Sequence, residues 1–121
     1  MESYVFIISA DPKEKCELVS SAFAQALTAL SMDFGCSMFF VDDGVNFVKK
    51  GYLKDVKFKT YESLEIMLGH YKEMGGEVYV CHPSSDARKM NKDNCIDEVD
   101  EFVNASKLIT LTGDARAVIT Y

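Results

Sequence analysis

Short apolar stretches alternate along the chain with longer segments in which apolar residues recur every three or four positions. That alternation predicts strands followed by helices. Tyr4 to Ser9 (YVFIIS) is β-branched and aromatic and stops at Asp11-Pro12, which predicts a first strand. From Lys13 to Ser31, the residues Cys16, Val19, Phe23, Ala26, Leu27 and Leu30 make one apolar stripe, as a long helix requires. Residues 36–41 (CSMFFV) are continuously apolar, the pattern of a strand covered on both faces, and end at Asp42-Asp43-Gly44. The mixed stretch VNFVKKGYLKDVKFK reads as a short helix and then a flap. Helical spacing returns over Tyr61 to Met74 through Leu64, Met67, Leu68 and Tyr71, with Gly75-Gly76 as its stop.

A third strand, Glu77 to Cys81, follows. After Pro83, either Ser84 or Ser85 is expected to cap a short helix reaching Met90, because a serine oxygen can accept a free backbone N–H. The polar stretch NKDNCIDEVDE leads to a weak strand at Phe102 to Asn104. A helix over Lys107 to Thr112 capped by Ser106 comes next, and then a last strand at Ala117 to Tyr121. This order predicts an α/β fold with three layers, α/β/α, around a mainly parallel five-stranded sheet. The 121 residues suit a single domain.

Composition narrows the function classes. A formal net charge of −6 disfavours general nucleic-acid binding, which draws on excess Lys and Arg. The apolar runs are too short for a membrane span, and the charged flanks of the first strand do not fit a signal peptide. Four cysteines without a C-x-x-C pair predict reduced thiols and a cytoplasmic setting, and two isolated histidines make a poor zinc site. No metal or cofactor is expected, and no glycine-rich phosphate loop occurs.

In parallel sheets, reactive groups gather beyond the carboxyl ends of the strands. Ser9-Ala10-Asp11, Asp42-Asp43-Gly44 and Cys81-His82-Pro83-Ser84 all arrive there, and only the last carries a strong nucleophile. A free thiol is mostly protonated at neutral pH, and a nearby helix N-terminus would favour its thiolate. His82 adjoins Cys81 in sequence, so in strand geometry its side chain points to the opposite face and serves poorly as a base. Cys16 and Cys36 fall at packing positions, whereas Cys95 lies in the polar connection, where it is free to resolve or relay sulfur if the fold brings it close.

Asp42-Asp43 resembles a carboxylate pair of a phosphoacceptor domain only superficially. Such a domain would need its aspartate where Cys81 stands, so a turn is the better reading. Lys49, Lys50, Lys54, Lys57 and Lys59 form a local basic run, either a solvated face or a flap that steers an anion. Tyr52, Leu53 and Phe58 in that flap would be awkward on a free monomer and point to self-association.

Taken in order, "YVFIIS", the long helix, "SMFFVDDGVNFV", "MGGEVYVC" and "SKLITLTGDARAVITY" resemble the DsrE/DsrF-like sulfur-relay family over nearly the whole chain. The most specific matches are the phenylalanine-rich second strand running into Asp43-Gly44-Val45 and the strand from Gly76 to Cys81. The resemblance implies a small α/β/α protein assembled as a homotrimer or hexamer. It also implies a persulfide on Cys81, taken from a sulfur donor and given to an acceptor protein or small thiol. His82, Ser84, Ser85, Asp43 and Gly44 are the expected binding residues around that cysteine. His82-Pro83-Ser84-Ser85 replaces the glycine-containing segment common after the family's cysteine. The competing expectation is a non-enzymatic oligomeric module that binds a small ligand or partner at the same edge, with Cys81 only packed.

Overall fold

Five parallel strands form the centre: β1 (Ser3–Ile8), β2 (Gly35–Phe40), β3 (Glu77–Cys81), β4 (Glu101–Val103) and β5 (Ala117–Thr120). The computed structural model describes residues 2–121. The strands lie in the order β4-β3-β2-β1-β5, so the chain steps outward from β1 to β4 and then returns across the sheet to β5. Right-handed crossovers that run in opposite directions place their helices on opposite faces. Hence α1 (Cys16–Ser31) and α2 (Leu64–Glu73) cover one face and α4 (Ala105–Asp114) the other, while the short α3 (His82–Ala87) follows β3.

The two faces are unequal. Toward α1 and α2, the residues Phe6, Ile8, Met38, Phe40, Val78 and Val80 join Phe23, Phe47 and Tyr71 in the main core. The other face has a small cluster of Phe39, Tyr79 and Val103, with Val41, Cys81, Leu108 and Leu111 packed against it. Among the described residues, α4 is the helix that packs against this cluster, through Leu108 and Leu111. None of its residues is fully buried, and Ile109 is 68% exposed.

Several boundaries differ from expectation. The first helix starts at Cys16 because Asp11, three residues after the end of β1, accepts the N–H groups of Lys13 (2.9 Å) and Glu14 (3.1 Å) across a turn at Pro12. The second starts at Leu64, capped by Ser63, whose hydroxyl accepts from Ile66 N–H at 3.3 Å. The last starts at Ala105 with Asn104 as its cap residue, rather than at Lys107 with Ser106. After Cys81 the helix begins at His82, so neither Ser84 nor Ser85 is the cap residue. Cys81 holds that position, and Pro83 fits the first turn because no N–H is needed there.

The flap is also more firmly held than a solvated lysine loop. A 3-10 segment, Asp42–Val48, leads into it, and Lys49 pairs with Cys95 across an antiparallel bridge. Ile96 N–H donates to Val48 O at 2.8 Å. Leu53 is buried, and Tyr52 donates its hydroxyl to Asp11 at 2.7 Å. These two residues are thus satisfied within one chain and give no support for association. Among the described residues, no helix is long and apolar enough to cross a membrane.

Gly44 fixes how the 3-10 segment meets β1. A Cβ at this position would overlap the backbone oxygen of Ile8, which cannot move without disturbing the strand. Gly44→Ala is therefore expected to destabilise the protein by about 2 kcal/mol or more, with a lower midpoint in chemical denaturation.

Candidate functional site

Cys81 is the last residue of β3, paired in register with Val103. Side chains alternate along a strand, so burying Val78 and Val80 in the main core puts Tyr79 and Cys81 on the thinly covered face. The thiol is consequently half-buried, at the rim of the small cluster and at the carboxyl end of the sheet.

Ser84 reaches back one turn and donates its hydroxyl to Cys81 Sγ at 3.2 Å. In the usual capping box, the third residue of a helix returns to the backbone of the cap residue; here it returns to the cap residue's sulfur. The same Ser84 oxygen accepts the backbone N–H of Asp42 at 2.9 Å. Asp42 has a left-handed backbone, φ +52°, which is uncommon outside glycine, so this N–H is aimed by a locally strained turn. Arg88 braces the pair from outside, donating to Ser84 O (3.0 Å) and pairing with Asp43 Oδ1 (2.8 Å).

The other expected residues have different surroundings. Ser85 is buried, and its hydroxyl donates to His82 O at 3.0 Å. His82 is exposed on the first turn of α3, and among the described residues its imidazole makes no hydrogen bond. Gly44 is placed by its contact with Ile8, and Asp43 by its ion pair with Arg88. The geometry thus brings together Cys81, Ser84, Asp42, Asp43 and Arg88. Arg88 and the backbone of Asp42 were not apparent from sequence pattern; the spacing Cys-x-x-Ser at a helix start was the available signal.

The remaining thiols lie apart from this group. Cys36 is buried, near Ala26 O at 3.5 Å, and burial pushes its pKa up to about 11. Cys95 is 1% exposed in the main core, not in an open loop, and burial raises its pKa as well. Its side chain packs on the opposite face of the sheet from Cys81, which removes the basis for a relay between them. Cys16 is half-buried at the start of α1, 4.0 Å from the Ser20 hydroxyl. An apolar recess of about 310 Å³ lies between α1 and the β5 edge, lined by Tyr4, Phe6, Met32 and Ile119, and contains none of the site residues.

The DsrE/DsrF-like family model matches residues 2–121. The chain belongs to the DsrE/DsrF-like family. The crystal structure of the ychN protein from E. coli superposes with a TM-score of 0.82 at 20% identity, covering all of both chains. Protein MTH1491 from Methanobacterium thermoautotrophicum, of unknown function, superposes at 0.70 with 18% identity, again over the full length of both. An uncharacterized protein of Methanocaldococcus jannaschii, MJ0760, is 28% identical over 90 residues, 74% of this chain. The match spans about a third of that relative's length, 33%. These likenesses establish the all-parallel α/β fold of this family member.

Asp11 holds the edge beside the site. Its carboxylate accepts Lys13 N–H, Glu14 N–H, Asn46 Nδ2 (2.9 Å) and the Tyr52 hydroxyl (2.7 Å). Burial acts to raise its pKa, but the hydrogen bonds from Tyr52, Asn46, Glu14 and Lys13 outweigh it and hold the carboxyl below its ordinary value. Burial and the neighbouring Asp11 push Tyr52 up to about 12, so it remains a donor. Because the folded-state value is depressed, the stabilisation is present above the unfolded value near 3.9. It is lost as pH falls through the lower folded value. Asp11→Asn should lower the denaturation midpoint at pH 7, and the difference from wild type should shrink below about pH 4.

Proposed function

We propose that the protein carries sulfane sulfur on Cys81 and passes it to a thiol acceptor. The observation that supports this best is the Ser84 hydroxyl on the sulfur of a half-buried cysteine at the end of β3, in a member of the DsrE/DsrF-like family. The thiolate of Cys81 attacks the outer sulfur of a donor persulfide, forming an Sγ–S bond while the donor sulfur leaves with the electron pair of the broken S–S bond. An acceptor thiolate then attacks the carried sulfur, and the pair of the Sγ–S bond returns to Cys81. Each exchange is redox-neutral overall, so neither oxidant nor cofactor is required.

Donor and acceptor are proteins or small thiols. The partners we favour also include further copies of this chain, as a homotrimer or hexamer. Support comes from Ile109, 68% exposed, and Val118, 41% exposed, apolar residues left open on the α4 side of the sheet.

Incubation with a small persulfide donor, followed by intact mass measurement, tests the carrier role. Wild type should gain one sulfur atom per chain and Cys81→Ser none, and a native spectrum of the same sample should show three or six chains. No gain in wild type, or an equal gain in Cys81→Ser, contradicts the carrier role.

A further inference from the structure

We propose that Ser84 biases Cys81 toward releasing sulfur: its hydroxyl, fixed as a donor to Sγ, makes Cys81 a better leaving group at the expense of its strength in attack. This rests on reading Cys81 as the sulfur carrier. The direction of the hydrogen bond follows from its surroundings. Ser84 Oγ accepts the Asp42 N–H at 2.9 Å, and its single proton is directed to Sγ at 3.2 Å. An amide N–H does not ionise in this range, so the serine serves as a donor and not as a base.

The arrangement is held from three sides. Arg88 fixes the Ser84 carbonyl at 3.0 Å and the Asp43 carboxylate at 2.8 Å. The left-handed Asp42 aims its N–H, and Asn46, four residues further on, ties the 3-10 segment to Asp11 at 2.9 Å. A sulfur that accepts a hydrogen bond is stabilised as thiolate more than as thiol or disulfide. In thiol–disulfide exchange, stabilising a thiolate weakens it as a nucleophile and speeds its departure as a leaving group. Ser84 therefore acts in opposite senses on loading and release once Cys81 is ionised.

The charged groups on the surrounding elements are Asp42 and Asp43 on the 3-10 segment, Glu77 on β3, His82 and Asp86 on α3, Arg88 just after it, Glu101 on β4, and Asp114 and Lys107 on α4; the Lys107 ammonium lies 5.0 Å from the Tyr79 ring centroid. Removing the Ser84 hydroxyl leaves all of them in place. A change in the kinetics of Cys81 on Ser84→Ala is thus assigned to the hydroxyl.

Methyl methanethiosulfonate measures both half-reactions without a persulfide. In loading, Cys81 thiolate forms an Sγ–SCH3 bond and displaces methanesulfinate, which leaves with the electron pair of the broken S–S bond. In release, an added small thiolate attacks the methylthio sulfur, and the Sγ–S pair returns to Cys81. Peptide mass mapping follows each step at Cys81, and Ser84→Thr keeps a hydroxyl.

For Ser84→Ala on the alkaline plateau, loading should be as fast as wild type or faster, and release about three- to tenfold slower. Ser84→Thr should restore the wild-type ratio. Equal slowing of both steps, or a Thr variant that matches Ala, overturns the proposal. Asymmetric methylthio kinetics with no uptake from a persulfide donor would sink the carrier reading alone. Symmetric kinetics with normal uptake would sink the role of Ser84 alone.

Discussion

The register of β3 is the constraint on which the site depends. Because side chains alternate, packing Val78 and Val80 into the main core forces Tyr79 and Cys81 onto the opposite face, and a slip of one residue would bury the thiol with the main core. Register is fixed from both sides by parallel neighbours, Phe39 opposite Tyr79 and Val103 opposite Cys81. The asymmetry of the two faces then matters. Three steps in one direction and a single return leave α4 alone on the side of Cys81, so the thiol is half-buried instead of sealed.

A second layer of order surrounds the carboxyl end of the sheet. Gly44 lets the 3-10 segment press against Ile8, and Asp11 gathers four donors from the β1 turn, that segment and the flap. Together they fix Asp42, whose strained backbone supplies one N–H to Ser84. The sulfur is thus addressed through a short chain of hydrogen bonds that begins well away from it. This division, with packing on one face and polar fixation at one end, is a common way for α/β folds to keep a reactive group accessible but oriented.

Much of the fold was legible in the sequence because its strands and long helices have clean periods. YVFIIS, CSMFFV and EVYVC became β1, β2 and β3 with small shifts, and the stripe through Val19, Phe23 and Ala26 became the buried side of α1. Details decided by side-chain hydrogen bonds were harder to read. Asp11 displaced the helix start because its carboxylate caps the Pro12 turn, and Tyr52 left the flap surface because that carboxylate needed a donor. Cys95 looked solvent-facing in a polar run, yet its backbone bridge to Lys49 turns it into the core. Cys81 could be placed from sequence, whereas its contact with Ser84 required α3 to start three residues earlier than a cap at Ser84 would allow.

The central claim is that the fold singles out one thiol of four for chemistry. Site-resolved alkylation of the native protein at neutral pH, followed by peptide mass mapping, tests it most directly. Cys81 should label fastest, with Cys36 and Cys95 protected until the protein unfolds. Labelling of Cys81 as slow as that of Cys36, or slower than that of Cys16, would contradict it.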